Sequence, residues 1–153
     1  MPKIQNGLNQ NLADWSVIYF KLHHFHWYVK GPHFQTLHLK FEELYNFAAV
    51  SLDEVAERIL SIGGKPASTM KEYLSMTKVK EGGDETKDVD MVKAVIDDFI
   101  LLTNGLNETQ ELAEEAGDAA TADLLTKQIE ALQKHIWMLS ATAGISVPTK
   151  VKA

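Results

Sequence analysis

The chain contains no cysteine, which excludes thiolate zinc sites, iron–sulfur clusters and disulfides, and leaves the redox compartment open. No run of apolar residues approaches the roughly 18 that a membrane span requires. The opening residues Met1 to Asn6 lack the apolar core of a secretory signal, so the expected location is the cytoplasm. Basic surplus is missing as well. Lys and Arg number 15 against 21 Asp and Glu, a formal net charge of −6. Binding to nucleic acid by charge needs the opposite balance, because Lys and Arg must displace counterions from phosphate. Before Asn11 there is one lysine, Lys3, and the C-terminal tail carries Lys150 and Lys152. Little direct DNA binding is expected. An acidic surface suits a protein that handles cations.

What the chain does have is helical periodicity. Its 153 residues read as a single domain with short tails at 1–7 and 145–153. Apolar residues recur at helical spacing in Leu8, Leu12, Trp15, Ile18, Leu22, Phe25 and Val29. After the break Lys30-Gly31-Pro32 a second stripe runs through Phe34, Leu37, Phe41, Leu44, Ala48, Leu52, Val55, Ile59 and Ile62, and Gly63-Gly64 ends it. A third helix is expected from about Asp88 to Ala116, and a fourth from about Asp118 to Ala143. Short links make each pair an antiparallel hairpin. The long link between Gly63 and Lys87 can return along the bundle, with Met70 to Leu74 as a short amphipathic turn of helix and Lys78 to Asp90 as a solvated loop. The fold class is therefore all-α: a ferritin-like four-helix bundle with a long crossover between helices two and three.

The second helix carries two pairs of potential metal ligands. His38 and Glu42 are four apart, as are Asp53 and Glu57, and both sets mirror about one point between Phe47 and Ala48. Eleven residues separate the inner pair, roughly 16 Å at ~1.5 Å rise per residue, so one helix cannot close all four groups around a metal. Two antiparallel copies about a two-fold axis would bring His38 near Glu57 and Glu42 near Asp53. Ala48 and Ala49 would sit at that axis, where small side chains let helices approach. The competing readings are a surface His–Glu pair and an acidic pair neutralised by Arg58.

His26, at the end of the first helix, can fold back towards His38. Five of the six histidines lie between 23 and 38, a clustering that favours a metal. His23, His24, His33 and His135 are assigned to ordinary buried, hydrogen-bonded histidines. Two imidazoles with three carboxylates and no sulfur suit Fe(II), Mn(II) or Zn(II), and a carboxylate-rich set also stabilises Fe(III). Redox chemistry on iron is the preferred use.

The run His26-Trp27-Tyr28-Val29-Lys30-Gly31-Pro32, then His38 and Glu42, then Asp53-Glu54-Val55-Ala56-Glu57-Arg58, closing at Gly63-Gly64, resembles the Dps family of mini-ferritins. The similarity is closest to the Dps-like ferritins of Gram-positive bacteria and spans essentially the whole chain. It implies a hollow homododecamer that oxidises Fe(II), preferentially with hydrogen peroxide, and stores ferric mineral, protecting the cell from oxidative damage. It also implies a site at a two-fold interface, with His26, His38 and Glu42 from one subunit and Asp53 and Glu57 from its partner. Each site would take two irons, the second held more weakly. Many members have Asp where Glu42 stands, which bears on that second position.

Further carry-overs follow from the same resemblance. Asp118 and Asp123 fit acidic pores at three-fold axes that admit iron, with helix capping as the alternative. Glu43 fits mineral nucleation, or a solvated glutamate. Trp27 and Trp137 resemble tryptophans near the family's site that intercept oxidising equivalents, or else pack. The alternative function is a nucleoid-associated DNA-binding Dps in which the shell itself protects DNA. A di-iron site within one chain would need Glu-x-x-His on each of two helices. The third and fourth helices offer none, since Glu130 and His135 are five apart.

Overall fold

A computed structural model describes residues 2–85 and 87–148 of the chain; Lys150 and Lys152 lie outside the described residues. Five helices follow in order: α1 (Pro2–Tyr28), α2 (Phe34–Ser61), α3 (Met70–Met76), α4 (Asp88–Glu115) and α5 (Ala119–Ala143). Among the described residues there is no strand, and no helix is long and apolar enough to cross a membrane. The long helices form two hairpins, α1 with α2 and α4 with α5, joined where α1 packs on α4. The expected four-helix bundle with a crossover helix is the fold.

The first helix begins at Pro2, six residues before the apolar pattern from Leu8 announces it. Proline suits the first helical position because its missing N–H would have no partner there. Ile4 is buried and extends the stripe by one turn, so residues 2–7 are helix rather than a tail. Gly7 has a packing reason: a Cβ there would lie 2.7 Å from the Thr109 hydroxyl on α4.

Apolar side chains from four helices, among them Trp15, Phe25, Phe41 and Phe99, fill the core. Burial of each large side chain contributes about 1.5–3 kcal/mol. One polar chain crosses that core. The Trp15 indole N–H donates to Gln128 Oε1 at 3.1 Å, and Gln128 Nε2 donates to the Ser51 carbonyl at 3.1 Å. It ties α1, α5 and α2 together with its donors satisfied.

The polar residues on α1 hold the crossover. Asn9 Oδ1 accepts from the Ala67 amide at 2.8 Å, and Gln10 Nε2 donates to the Met76 carbonyl at 2.8 Å. Asp14 Oδ1 accepts from the Lys78 amide and the Thr77 hydroxyl, both at 2.8 Å. The stretch read as a solvated loop is shorter than expected, because Val79 is buried and α4 starts at Asp88, itself buried. Lys21 Nζ lies 2.7 Å from Asp98 Oδ2, a largely buried ion pair between α1 and α4.

Candidate metal centre

The α1–α2 hairpin sets His26, in the last turn of α1, against His38, in the second turn of α2. Their rings stack with centroids 3.7 Å apart and planes 14° from parallel. Each ring bonds the other residue's backbone: His26 Nδ1 to the His38 carbonyl at 2.7 Å, and His38 Nδ1 to the His26 carbonyl at 2.8 Å. A carbonyl oxygen can only accept, so each Nδ1 carries the proton. In a neutral ring the proton is then absent from Nε2, whose lone pair is free to hold a metal. Such a bond on the far nitrogen is how proteins orient imidazole ligands. His26 is buried and His38 half-buried, with Phe34 stacked on His38 at 5.1 Å.

Glu42, half-buried, stands one turn beyond His38, and the Tyr45 hydroxyl donates to its Oε1 at 3.4 Å. Asp53 and Glu57 are exposed further along α2. Neither carboxylate has a hydrogen-bond or ion-pair partner among the described residues. Among those residues no three His, Asp or Glu side chains gather to hold a metal within one chain. The structure thus brings His26 and His38 together with Glu42 nearby, and leaves Asp53 and Glu57 apart on an open helix face.

Two details of the sequence reading are corrected. Ala48 is fully buried in the chain's own core, so it cannot sit at an external axis, while Ala49 is half-buried and Val50 exposed. Arg58 does not neutralise Asp53 and Glu57. It points across the bundle, donating to the Thr121 hydroxyl at 2.8 Å and to Asp118 Oδ1 at 3.1 Å.

Asp118 is the N-cap of α5, accepting from the Thr121 amide at 3.1 Å. Burial pushes its carboxyl upward, but the Thr121 hydroxyl and amide and the Arg58 guanidinium outweigh that and hold its pKa below the ordinary value. Its carboxylate is therefore occupied as a cap and ion-pair partner. Asp123 is exposed, 3.5 Å from Lys127 Nζ, and lines a shallow pocket with Glu114 and Thr126. Glu43 is exposed and bonded by Lys40 Nζ at 2.7 Å, and that bond holds its pKa low. Trp27 and Trp137 are 64% and 57% exposed, so neither is packed within its own chain.

The other histidines differ from a uniform buried class. His33 is exposed, and His24 lies under the crossover, where a Cβ on Gly82 would come within 2.6 Å of its ring. His135 lies against Phe47 with its Nδ1 unpartnered among the described residues, and burial lowers its pKa. His23 stacks on Tyr45 at 3.7 Å and 18°. Tyr45 and His23 were legible as neighbours of ligands, three residues after Glu42 and three before His26, but spacing does not reveal the stack.

Comparison with known proteins identifies the family. A family model described as the ferritin-like domain matches residues 5–145. The DNA protection during starvation protein 2 of Bacillus anthracis is 50% identical over 134 residues, covering 88% of this chain and 92% of that protein. The crystal structure of Dps from Staphylococcus aureus superposes with a TM-score of 0.90 at 42% identity, over 94% of this chain and 96% of that one. A Dps protein from Vibrio cholerae, described as a member of a broad superfamily of ferritin-like diiron-carboxylate proteins, gives 0.90 at 35% identity, over 92% and 89% of the two chains. The chain belongs to the Dps family of ferritin-like proteins.

Proposed function

We propose that this chain is a ferroxidase and iron-storage subunit, taking Fe(II) as substrate at sites shared between two copies. His26, His38 and Glu42 come from one subunit, and Asp53 and Glu57 from the next. The observation that carries this reading is the reciprocal bonding of His26 and His38, which frees both Nε2 lone pairs beside a carboxylate. The unpaired Asp53 and Glu57 supply the hard oxygen donors that the histidine end lacks, and favour Fe(III) once it forms. Two Fe(II) ions can give two electrons to one hydrogen peroxide, which with two protons leaves two Fe(III) and two waters. No hydroxyl radical is released in that balance.

Twelve such subunits form the shell in which ferric mineral collects. Each site holds two irons, the second more weakly. Asp123 lies where iron would be admitted, while Asp118 serves that opening only through its cap. Glu43 is a nucleation candidate from which Lys40 would first have to withdraw. The protein acts in the cytoplasm, and its relatives' name for DNA protection is met here by removing peroxide and Fe(II). With a net charge of −6 on each chain, the intact assembly should leave plasmid unshifted in a gel at moderate salt, and a saturable complex would reject that view.

The decisive experiment is stopped-flow oxidation of anaerobic Fe(II)-loaded protein by peroxide and by dioxygen, with particle mass measured alongside. Peroxide is expected to react faster. His26→Gly with His38→Gly should lower the peroxide-driven rate by about 100-fold or more with the assembly mass unchanged. Equal initial rates in that variant would remove these residues from the site.

A further inference from the structure

Tyr45 touches the site at two points without being one of its ligands. It lies three residues beyond Glu42 on α2, so the two side chains are neighbours on the helix surface. Its hydroxyl donates to Glu42 Oε1 at 3.4 Å, and its ring meets His26 edge-on with centroids 5.3 Å apart at 90°. His23 covers the Tyr45 ring face at 3.7 Å, and Tyr19 approaches at 6.3 Å, close to perpendicular. A phenol held on its face and at its edges keeps little rotamer freedom. Its hydroxyl is a fixed point.

Glu42 has use for one. Glutamate has one more rotatable bond than aspartate, and that freedom must be lost when the carboxylate binds a cation. A hydrogen bond to one carboxylate oxygen removes part of it beforehand, as commonly found behind ligating carboxylates. With Oε1 engaged, Oε2 is the oxygen left for a metal. At 3.4 Å the bond is long for O–H···O. Contacts of this kind in unloaded sites tighten when the ligand arrives, and the ring's clamps already set its direction.

We infer that Tyr45, clamped by His23 and His26, is a positioning residue that restrains Glu42 and presents its Oε2 to Fe(II). This rests on the ferroxidase reading above, and it offsets the longer side chain at position 42. Tyr45→Phe is the informative substitution, because it keeps the stacked ring and removes only the hydroxyl.

The test is anaerobic Fe(II) calorimetry on the intact assembly of wild type, Tyr45→Phe, Glu42→Asp and the double variant. Tyr45→Phe should weaken Fe(II) binding about tenfold in the Glu42 background. The half-saturating Fe(II) for peroxide-driven oxidation should rise in step, while the maximal rate falls by less than about threefold. In the Glu42→Asp background, where the shorter carboxylate falls away from Tyr45, the same change should weaken binding by less than about twofold. Particle mass and thermal midpoint should be equal in all four. An unchanged isotherm in Tyr45→Phe, or equal weakening in both backgrounds, overturns the inference. If Tyr45→Phe is silent while His26→Gly, titrated alongside as a control, loses Fe(II) binding, only the positioning role fails. If both are silent, the ferroxidase reading fails with it.

Discussion

The two hairpins of this bundle are built alike and finished differently. At the α4–α5 turn the polar ends are answered within the chain. Asp118 donates its amide to the Ala113 carbonyl at 2.8 Å, caps α5 through Thr121, and takes its counter-charge from Arg58. The α1–α2 hairpin is left open. Its second helix has no side-chain cap, Trp27, Tyr28 and Phe34 are exposed at the turn, and Val50 and Leu60 flank Asp53 and Glu57, unpaired among the described residues. Exposed apolar side chains interspersed with unanswered carboxylates suit the interface we propose. The closed hairpin is structural; the open one holds the residues we propose for the chemistry.

The sharpest way to break that comparison is to mix chains. One variant carries His26→Gly and His38→Gly, and the other Asp53→Asn and Glu57→Gln. Each alone should lose rapid peroxide-driven Fe(II) oxidation. Assembled together from equal amounts, they should recover about a quarter of the wild-type rate, because half of the two-fold pairs join unlike chains and each such pair holds one complete site of two. No recovery in assemblies shown by mass to contain both chains would place the whole site within one subunit.

The smaller effects belong to the closed part of the bundle, where two carboxylates shift in opposite directions. Burial pushes the Asp98 pKa up to about 6, despite the pull of Lys21. The folded protein therefore favours the protonated form, and that stabilisation is fully present below the unfolded value near 4 and lost as pH rises through about 6. Asp118 is the reverse. Its pKa is held low, so its contribution is present above about 4 and lost as pH falls through the lower folded value. In urea unfolding at one fixed chain concentration, wild type should gain on Asp98→Asn by about 1–2 kcal/mol between pH 6.5 and 4. Its advantage over Asp118→Asn, about 1 kcal/mol at neutral pH, should close below pH 4. Gaps that stay constant with pH would remove both carboxylates from this role.

Much of the fold could be read from the chain because its signals are local. The stripe Leu37, Phe41, Leu44, Ala48 and Val55 is the buried face of α2, and Gly63 and Gly117, at φ 82 and 73, follow the ends of α2 and α4. The start of α1 was harder to see, because Asn6 and Gly7 interrupt the pattern and only Ile4 continues it. The partners of Arg58 are hidden for a related reason. From the sequence its nearest carboxylates are Asp53, Glu54 and Glu57, whereas the partners it finds, Thr121 and Asp118, are some 60 residues away.

The sequence by itself determined which groups could bind a metal and that one helix could not gather them, since spacing along a helix is a property of the backbone alone. Only the tertiary structure decided which nitrogen each histidine leaves free, that His23 backs Tyr45, and that Arg58 turns to Asp118 and Thr121. Those outcomes depend on contacts between helices, and a helical period places a residue on a face without saying what that face will meet.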